Sequence, residues 1–477
     1  MGQRATNLTQ KRDGHPAGHC RVAGFEGPAD RGAGGFGGRA SAPSRAGQHE
    51  QFEAAFERRV EEEAANPKSL RGKSGKTSGG QEGHAGGTLR QVGEPDFVAP
   101  HVACVCEHCR SPLDPESAID VEKRQVFDLP ERPLLVTEHQ ASIHRCEHCR
   151  RVTKAKFPDG VVSATQYGER FRAAAIYLNI QQLIPEDRTA QALSDLFGAP
   201  TVCPASVVGW VGKKDQELQQ VYARIGERVA EAKVRHLDET GYRVAGKLQW
   251  LHTTSSLTHT FYRAGEKRGA VPEELQGGVV VHDHFRPYCG RMDKVDHAFC
   301  NSHVLRELEG LIEFDHEPWP ELMRDLLLEA NAAVREAREA GAKALAPEKV
   351  EAFVERYWAA VRLGLAFHRE LPKLEGKPGK RQKKRPGHNL LDRLKKFKTE
   401  TLRFLTDFDV PFTNNLAEQD LRMMKVRMKI SGSFRTLEGA QIFARLRSIV
   451  STARKQGFNI LQVLSATPET LMQSLAA

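Results

Sequence analysis

A chain of 477 residues is too long for one compact core, so two to four folded units are expected. Its formal net charge of +9 favours a polyanionic partner, usually nucleic acid, although a merely charged surface gives the same balance. No apolar run is long enough to span a bilayer, and the start at Met1 carries no signal-like apolar stretch, which excludes a membrane partner and points to the cytoplasm.

Residues 1–95 are rich in Gly, Arg, Ser and His and lack sustained apolar periodicity. A run such as Gly32-Ala-Gly-Gly-Phe-Gly-Gly-Arg39 cannot bury enough side chain to offset its ordering entropy, so this segment reads as disordered and of low complexity. One short charged helix is expected around Gln51–Ala65. Residues 96–160 hold the paired cysteines Cys106-x-x-Cys109 and Cys146-x-x-Cys149, separated by 36 residues. In a reducing compartment cysteines are metal ligands or core residues before they are disulfides. Two such knuckles supply four thiolates to one tetrahedral Zn²⁺, as in a zinc ribbon, and Cys104, His108 or His148 could each replace one ligand.

Residues 161–230 read as helices. Phe171, Ala175, Ile176, Leu178 and Leu183 share one apolar face, and Leu218, Val221, Ile225 and Val229 another. Between them, Thr189–Phe197, a turn with Gly198 and Pro200, and Ala205–Lys214 form either an ordinary helix pair or a helix-turn-helix. In the second case the reading helix would present Val207, Val208, Trp210 and Lys213.

From residue 231 to 302 the pattern changes to strands. Val234–Val244, the turn Ala245-Gly-Lys247, Leu248–Thr254 and Thr258–Arg263 make a three-strand meander; Gly278–Asp283 and His297–Cys300 add two more strands. An RNase H-like α/β sheet begins this way. Helices return over 303–410, with Leu322, Leu326, Ala330, Val334 and Ala337 on one stripe and Val350, Val354, Tyr357, Val361 and Leu365 on another. A loop carrying Lys377, Lys380, Arg381, Lys383, Lys384 and Arg385 interrupts them, either a solvated linker or a phosphate-contacting arm. Residues 411–477 return to helix.

Three acidic positions stand out on this frame. Asp238 lies within a strand, where its neighbour Glu239 must point to the opposite face. Asp283 ends an apolar strand, the place where open α/β sheets hold their ligands. Glu418 lies early in a helix, and Asn415-x-x-Glu418 has the spacing of a capping box, in which the glutamate serves only the helix start. Against that stand Arg422, Lys425 and Lys429, which follow Glu418 on one stripe, beside the apolar stripe Ala417, Leu421, Met424 and Met428. Such a helix packs on a sheet by one side and shows a carboxylate and three cations to a polyanion. His297-x-x-Cys300-x-x-His303 is a further candidate metal set, for which core packing is the favoured reading.

These segments resemble the bacterial insertion-sequence transposases of the IS-sixty-six group, which carry a DDE catalytic triad. The resemblance runs from about Gly79 to Gly457. Its carriers are Leu237-Asp-Glu-Thr-Gly-Tyr242, Leu248-Gln-Trp-Leu-His252, Val280-Val-His-Asp283 with Pro287-Tyr288, Cys300-Asn-Ser-His-Val-Leu-Arg-Glu-Leu308, Asn414-Asn-Leu-Ala-Glu-Gln-Asp-Leu-Arg422 and Lys429-Ile-Ser-Gly-Ser-Phe-Arg435. It implies an RNase H-like catalytic core (231–302 and 411–477) interrupted by a helical insertion and preceded by a zinc-ribbon-like unit and a helical segment. It also implies a triad of Asp238, Asp283 and Glu418 holding two Mg²⁺ (or Mn²⁺), cleavage at element ends, and strand transfer into target DNA. Arg422, Lys425, Lys429, Arg435 and the basic loop are the expected phosphate contacts. Double-stranded DNA, further copies of the chain and accessory proteins of the same element are the expected partners. Cys300-x-x-His303 resembles the C-x-x-H element of several DDE groups and is expected to act as structural support. Residues 1–45 depart from the pattern as a Gly/Arg-rich extension. Two other functions remain open from the residues alone: a catalytically inactive zinc-dependent DNA-binding protein, and a structure-specific nuclease on the same core.

Overall fold

The computed structural model describes residues 89–475, apart from 102, 115, 117, 131, 132, 201, 271, 273, 274 and 375–382. The Gly32–Arg39 run, the helix expected around Gln51–Ala65, and Lys377, Lys380 and Arg381 of the basic loop lie outside the described residues.

Strands β1 (Ile143–Arg145) and β2 (Val152–Lys154) pair antiparallel around the second cysteine pair. Helix α1 (Glu169–Ile176) runs on as a π-turn over Tyr177–Gln181, and α2 (Glu186–Phe197), α3 (Pro204–Glu217) and α4 (Gln219–Glu231) follow. Gly198 ends α2 at φ +64°, a left-handed cap that glycine adopts without strain, and Pro204 opens α3 where no intrahelical N–H is needed. The expected reading helix exists as α3, but its named residues divide. Val207 is buried and Trp210 packs edge-on against Tyr167 and Phe171, so both serve the local core; Val208 and Lys213 face solvent.

A five-stranded sheet forms the centre: β3 (Val234–Val244), β4 (Lys247–Ser255), β5 (Thr260–Gly265), β6 (Val279–His282) and β7 (Asp296–Phe299), in the order β5-β4-β3-β6-β7. The first three are antiparallel; β6 and β7 run parallel to β3. Ala245 (φ +45°) and Gly246 (φ +80°) close the β3–β4 hairpin, both in the left-handed region that a two-residue hairpin turn demands. Strand β6 lies between two parallel neighbours, which is why it reads as consecutive valines, all buried, rather than as an alternating pattern.

After the short α5 (Arg286–Arg291) and after β7, α6 (Asn301–Gly310) leads into a helical region of α7 (Pro320–Glu339), α8 (Pro347–Glu370), α9 (Pro386–Lys396) and α10 (Lys398–Leu402). This region has its own apolar core, built on Trp319, Met323, Leu327, Tyr357, Val361 and Leu391. Gly364 permits the close approach of α8 and α9: a Cβ there would stand 2.7 Å from the Leu391 methyls. Helices α11 (Asn415–Ser431) and α12 (Leu437–Lys455) return to the sheet, followed by α13 (Ile460–Ser465) and α14 (Pro468–Ser474). Helix α11 crosses β3 and β4, and α12 lies on β5, where its Phe443, Ile449 and Val450 join Tyr242, Leu251 and Tyr262 in the main core. Among the described residues, no helix is long and apolar enough to cross a membrane.

Candidate active site

The register of the parallel strands places the acidic residues. Val234, Arg235 and His236 of β3 stand beside Val279, Val280 and Val281 of β6, and continuing that register sets Asp238 beside Asp283. Likewise His282 stands beside Phe299 of β7, and one step further Asp283 meets Cys300, whose N–H donates to the His282 carbonyl at 2.9 Å. Residues in one row of a parallel sheet share a face, with strands about 4.8 Å apart. Asp238, within β3 just past its paired stretch with β6, and Asp283 and Cys300, directly after β6 and β7, therefore form one row.

Helix α11 brings Glu418 to this row. Glu418 Oε1 lies 3.8 Å from Cys300 Sγ and 3.9 Å from His303 Nδ1, the latter carried one turn into α6. The start of α11 is tied to the sheet by Asn414. Its Nδ2 donates to the Leu237 carbonyl (2.8 Å), its Oδ1 meets His236 Nδ1 (3.0 Å), and its backbone N–H points at Cys300 Sγ (3.1 Å). The cap residue is Asn414 rather than Asn415; its side chain makes no capping bond, and its N–H is directed to sulfur, not to Glu418. The capping-box account of Glu418 thus does not describe this helix. One turn on, Asp420 Oδ2 accepts from Ser255 Oγ (2.6 Å), Thr260 Oγ1 (3.0 Å) and Lys455 Nζ (2.8 Å), locking α11 to β4, β5 and α12.

Electrostatics follow from this crowding. Burial, with Asp283 and Glu418 nearby, pushes Asp238 up to about 7, against the pull of the Glu239 N–H on its Oδ1 at 2.8 Å. Asp283 is also raised by burial, opposed by the Phe285 N–H on its Oδ1 at 3.1 Å. Neither aspartate forms an ion pair among the described residues. Carboxylate oxygens are the donors a hard divalent ion takes, and Asp238 lies near enough to Asp283 and Glu418 to feel their charge, although the three are not drawn to within 4.8 Å of one another. Glu239, on the opposite face, is different. Burial works against its charge, but His252, Arg268 Nε (2.6 Å), the Gly269 N–H (3.0 Å) and Tyr288 OH (3.1 Å) hold its pKa below the usual carboxylate range. It pins the segment between β5 and α5 to β3.

The set His297-x-x-Cys300-x-x-His303 is divided by the structure. His297 turns into the core, with Nδ1 2.9 Å from His282 Nε2 and Nε2 2.9 Å from the Met292 carbonyl. Cys300 and His303 instead join Glu418, and among the described residues these three form the only group of metal-capable side chains within 4.8 Å of one another. Sequence reasoning missed this grouping, as it missed the parts played by Asn414 and Asp420. The one local signal was that Asn414 and Asp420 flank Glu418 in the same motif.

The two cysteine pairs fold alike. Arg110 N–H donates to the Cys106 carbonyl and Arg150 N–H to that of Cys146, with Arg110 and Arg150 both left-handed at φ +62° and +56°. Ser111, whose Oγ is 3.3 Å from Cys109 Sγ, lowers the Cys109 thiol to about 7, helped by Cys106; the N–H groups of Cys149 and His148 lower Cys146. One thiol in each pair is thus made more acidic by its neighbours. Of the basic residues, Arg422, Lys425, Lys429 and Arg435 are exposed. Lys383 is exposed as well, but Lys384 pairs with Asp392 (2.5 Å) and Arg385 NH1 donates to the Pro372 carbonyl (2.8 Å), so both partly secure the loop they sit in.

Residues 164–442 match the family model described as "Transposase IS66 family". No curated protein sequence matches the chain.

Proposed function

Because the chain belongs to the IS66 family of transposases, we propose that it cuts DNA at the ends of its element and joins the freed 3′ ends to target DNA, with Asp238, Asp283 and Glu418 as its catalytic carboxylates. One observation carries the reading: the β3–β6 register, continued, sets Asp238 beside Asp283, and Asp238 feels the charge of both Asp283 and the Glu418 that α11 carries. The strand order β5-β4-β3-β6-β7, antiparallel then parallel, supports an RNase H-like core, and the separate apolar core of 304–408 supports a helical insertion before the last carboxylate.

In this reading the three carboxylates hold two Mg²⁺ (or Mn²⁺), which when bound stabilise charge developing on the attacking and leaving oxygens of the scissile phosphate. Asp238 is central, next to both Asp283 and Glu418, and its backbone-tied Oδ1 fixes its orientation. Asn414 and Asp420 keep Glu418 over the row. Arg422, Lys425 and Lys429, exposed on the same helix, hold backbone phosphates and set the strand relative to the carboxylates. Water attacks first at the element end, releasing a 3′-OH; that hydroxyl then attacks target DNA, without a covalent protein intermediate. The cysteine pairs of 96–160 bind Zn²⁺ and brace this unit, α2–α3 belong to the DNA-binding segment, and the chain works as a homo-oligomer on DNA.

The test is cleavage and strand transfer on DNA carrying the element ends, with Mg²⁺, comparing wild type and Glu418→Gln. Glu418→Gln, Asp238→Asn and Asp283→Asn should each lose cleavage by at least a thousandfold while still binding DNA. Normal cleavage by any one of them removes that residue from the triad. Cutting of branched DNA without joining would assign a nuclease, and retention of DNA with no cutting by wild type a binding protein.

A further inference from the structure

The carboxylate row has a neighbour of different chemistry. Cys300 is almost fully buried at the end of β7, His303 follows on the first turn of α6, and Glu418 reaches both from α11. The spacing is too long for a hydrogen bond between His303 and Glu418, since 3.9 Å lies outside the range of N–H···O contacts. His303 Nδ1 is nevertheless shut away from solvent and has no hydrogen-bond partner. A buried imidazole nitrogen left unsatisfied costs stability unless something occupies the space it faces. What it faces is a thiol and a carboxylate.

Those separations suit a metal ion. With Zn–S near 2.3 Å and Zn–N or Zn–O near 2.1 Å, tetrahedral geometry puts ligand atoms about 3.4 to 3.6 Å apart. The observed 3.8 and 3.9 Å need only a slight contraction. The Asn414 N–H, 3.1 Å from Cys300 Sγ, is placed to stabilise a thiolate, as outer hydrogen bonds do around metal ligands. A cavity of about 20 Å³, large enough for one water, borders Cys300 and His303 on the side of His284 and Thr401. Sulfur and imidazole nitrogen select borderline or soft ions over Mg²⁺, which takes oxygen.

We propose that Cys300, His303 and Glu418 form a second metal site, for a thiophilic divalent ion such as Zn²⁺, that shares Glu418 with the carboxylate row. Binding releases the thiol proton to solvent. Glu418 then serves one site or the other. A thiophilic ion draws it toward Cys300 and His303 and withholds it from Asp238 and Asp283, so zinc opposes the Mg²⁺-supported reaction. This last consequence rests on the catalytic reading above; the site itself does not.

The experiment counts metal on the full chain. Wild type, Cys300→Ala, His303→Ala and Asp238→Asn are equilibrated with Zn²⁺, dialysed, and assayed for zinc per chain. The cysteine pairs of 96–160 contribute equally to all four. Cys300→Ala and His303→Ala should each hold one zinc fewer than wild type, and Asp238→Asn the same number. With Co²⁺ in place of zinc, the thiolate-to-cobalt absorption should weaken in Cys300→Ala. Equal zinc in wild type and both site variants overturns the proposal. His303 is partly exposed, so His303→Ala keeps the test decisive if Cys300→Ala fails to fold. A second assay titrates Zn²⁺ into the Mg²⁺-dependent cleavage reaction, where His303→Ala should need at least tenfold more zinc for half inhibition. An unchanged midpoint overturns the sharing of Glu418. If wild type cleaves nothing, the catalytic reading fails while the zinc count still decides the site.

Discussion

Asp238 makes the clearest statement at the scale of the residue. Its carboxyl is raised from 3.8 to about 7, chiefly by burial and then by Asp283 and Glu418. Between those values the unfolded chain has released the proton and the folded chain keeps it, so stability falls as pH rises through this window, and the full penalty remains above 7. Asp238→Asn removes the penalty while still accepting the Glu239 N–H. With chelator present, the variant should melt with wild type near pH 4 and above it at pH 8. The gain should be on the order of 1–2 kcal/mol, reduced from the full shift because the site is partly open to solvent. Mg²⁺ should then raise the wild-type melting temperature more than that of the variant. A variant no more stable than wild type at pH 8 would show that neither burial nor the neighbouring carboxylates penalise the Asp238 charge. The neighbouring Glu239 carries the opposite lesson, for its four partners keep it charged and make it an anchor.

At the scale of the element, the proposed function depends on how α11 is seated. Asn414 ties its first turn to β3 through Leu237 and His236, and Asp420 ties its second to β4, β5 and α12. Asn414→Ala leaves a buried histidine nitrogen unsatisfied, costing about 1–3 kcal/mol. Since Asn414 touches neither DNA nor ion in this reading, it is a positioning residue. The expected signature is a higher Mn²⁺ or Mg²⁺ concentration for half-maximal cleavage with DNA affinity unchanged, and loss of stability alone would reduce it to a fold contact. In the helical region, Gly364→Ala forces a methyl against Leu391 and should destabilise the chain by about 1–3 kcal/mol in urea unfolding.

For the whole molecule, the excess positive charge acquires a direction. Arg422, Lys425 and Lys429 lie exposed on the helix that carries Glu418, so in the proposed reading the surface that attracts phosphate adjoins the site that acts on it. The triple alanine variant should reduce the slope of log affinity against log salt by about 2–3, while Lys384→Ala and Arg385→Ala, which have internal partners, should change it less. Equal slopes for wild type and the triple variant would place the DNA path elsewhere.

Much of this was legible in the chain alone, because it is local. The hydrophobic period marks β3 as Val234–Val244 to the residue, the consecutive valines mark β6 as a buried strand, and the stripe of Ala417, Leu421 and Met424 orients α11. The motifs around Asp238, Asp283 and Glu418 pointed to the family whose model matches residues 164–442. What no local pattern contains is which distant residues meet. Parallel pairing sets the row Asp238–Asp283–Cys300 through a register that depends on crossovers, and the helical region between α6 and α11 is what returns Glu418 to it. His297 and Cys300 are three residues apart yet face different surroundings, whereas Cys300 and Glu418, far apart in the chain, come within 3.8 Å. Short-range periodicity decides which side of an element is buried; only the packing of elements decides which buried side chains share a site.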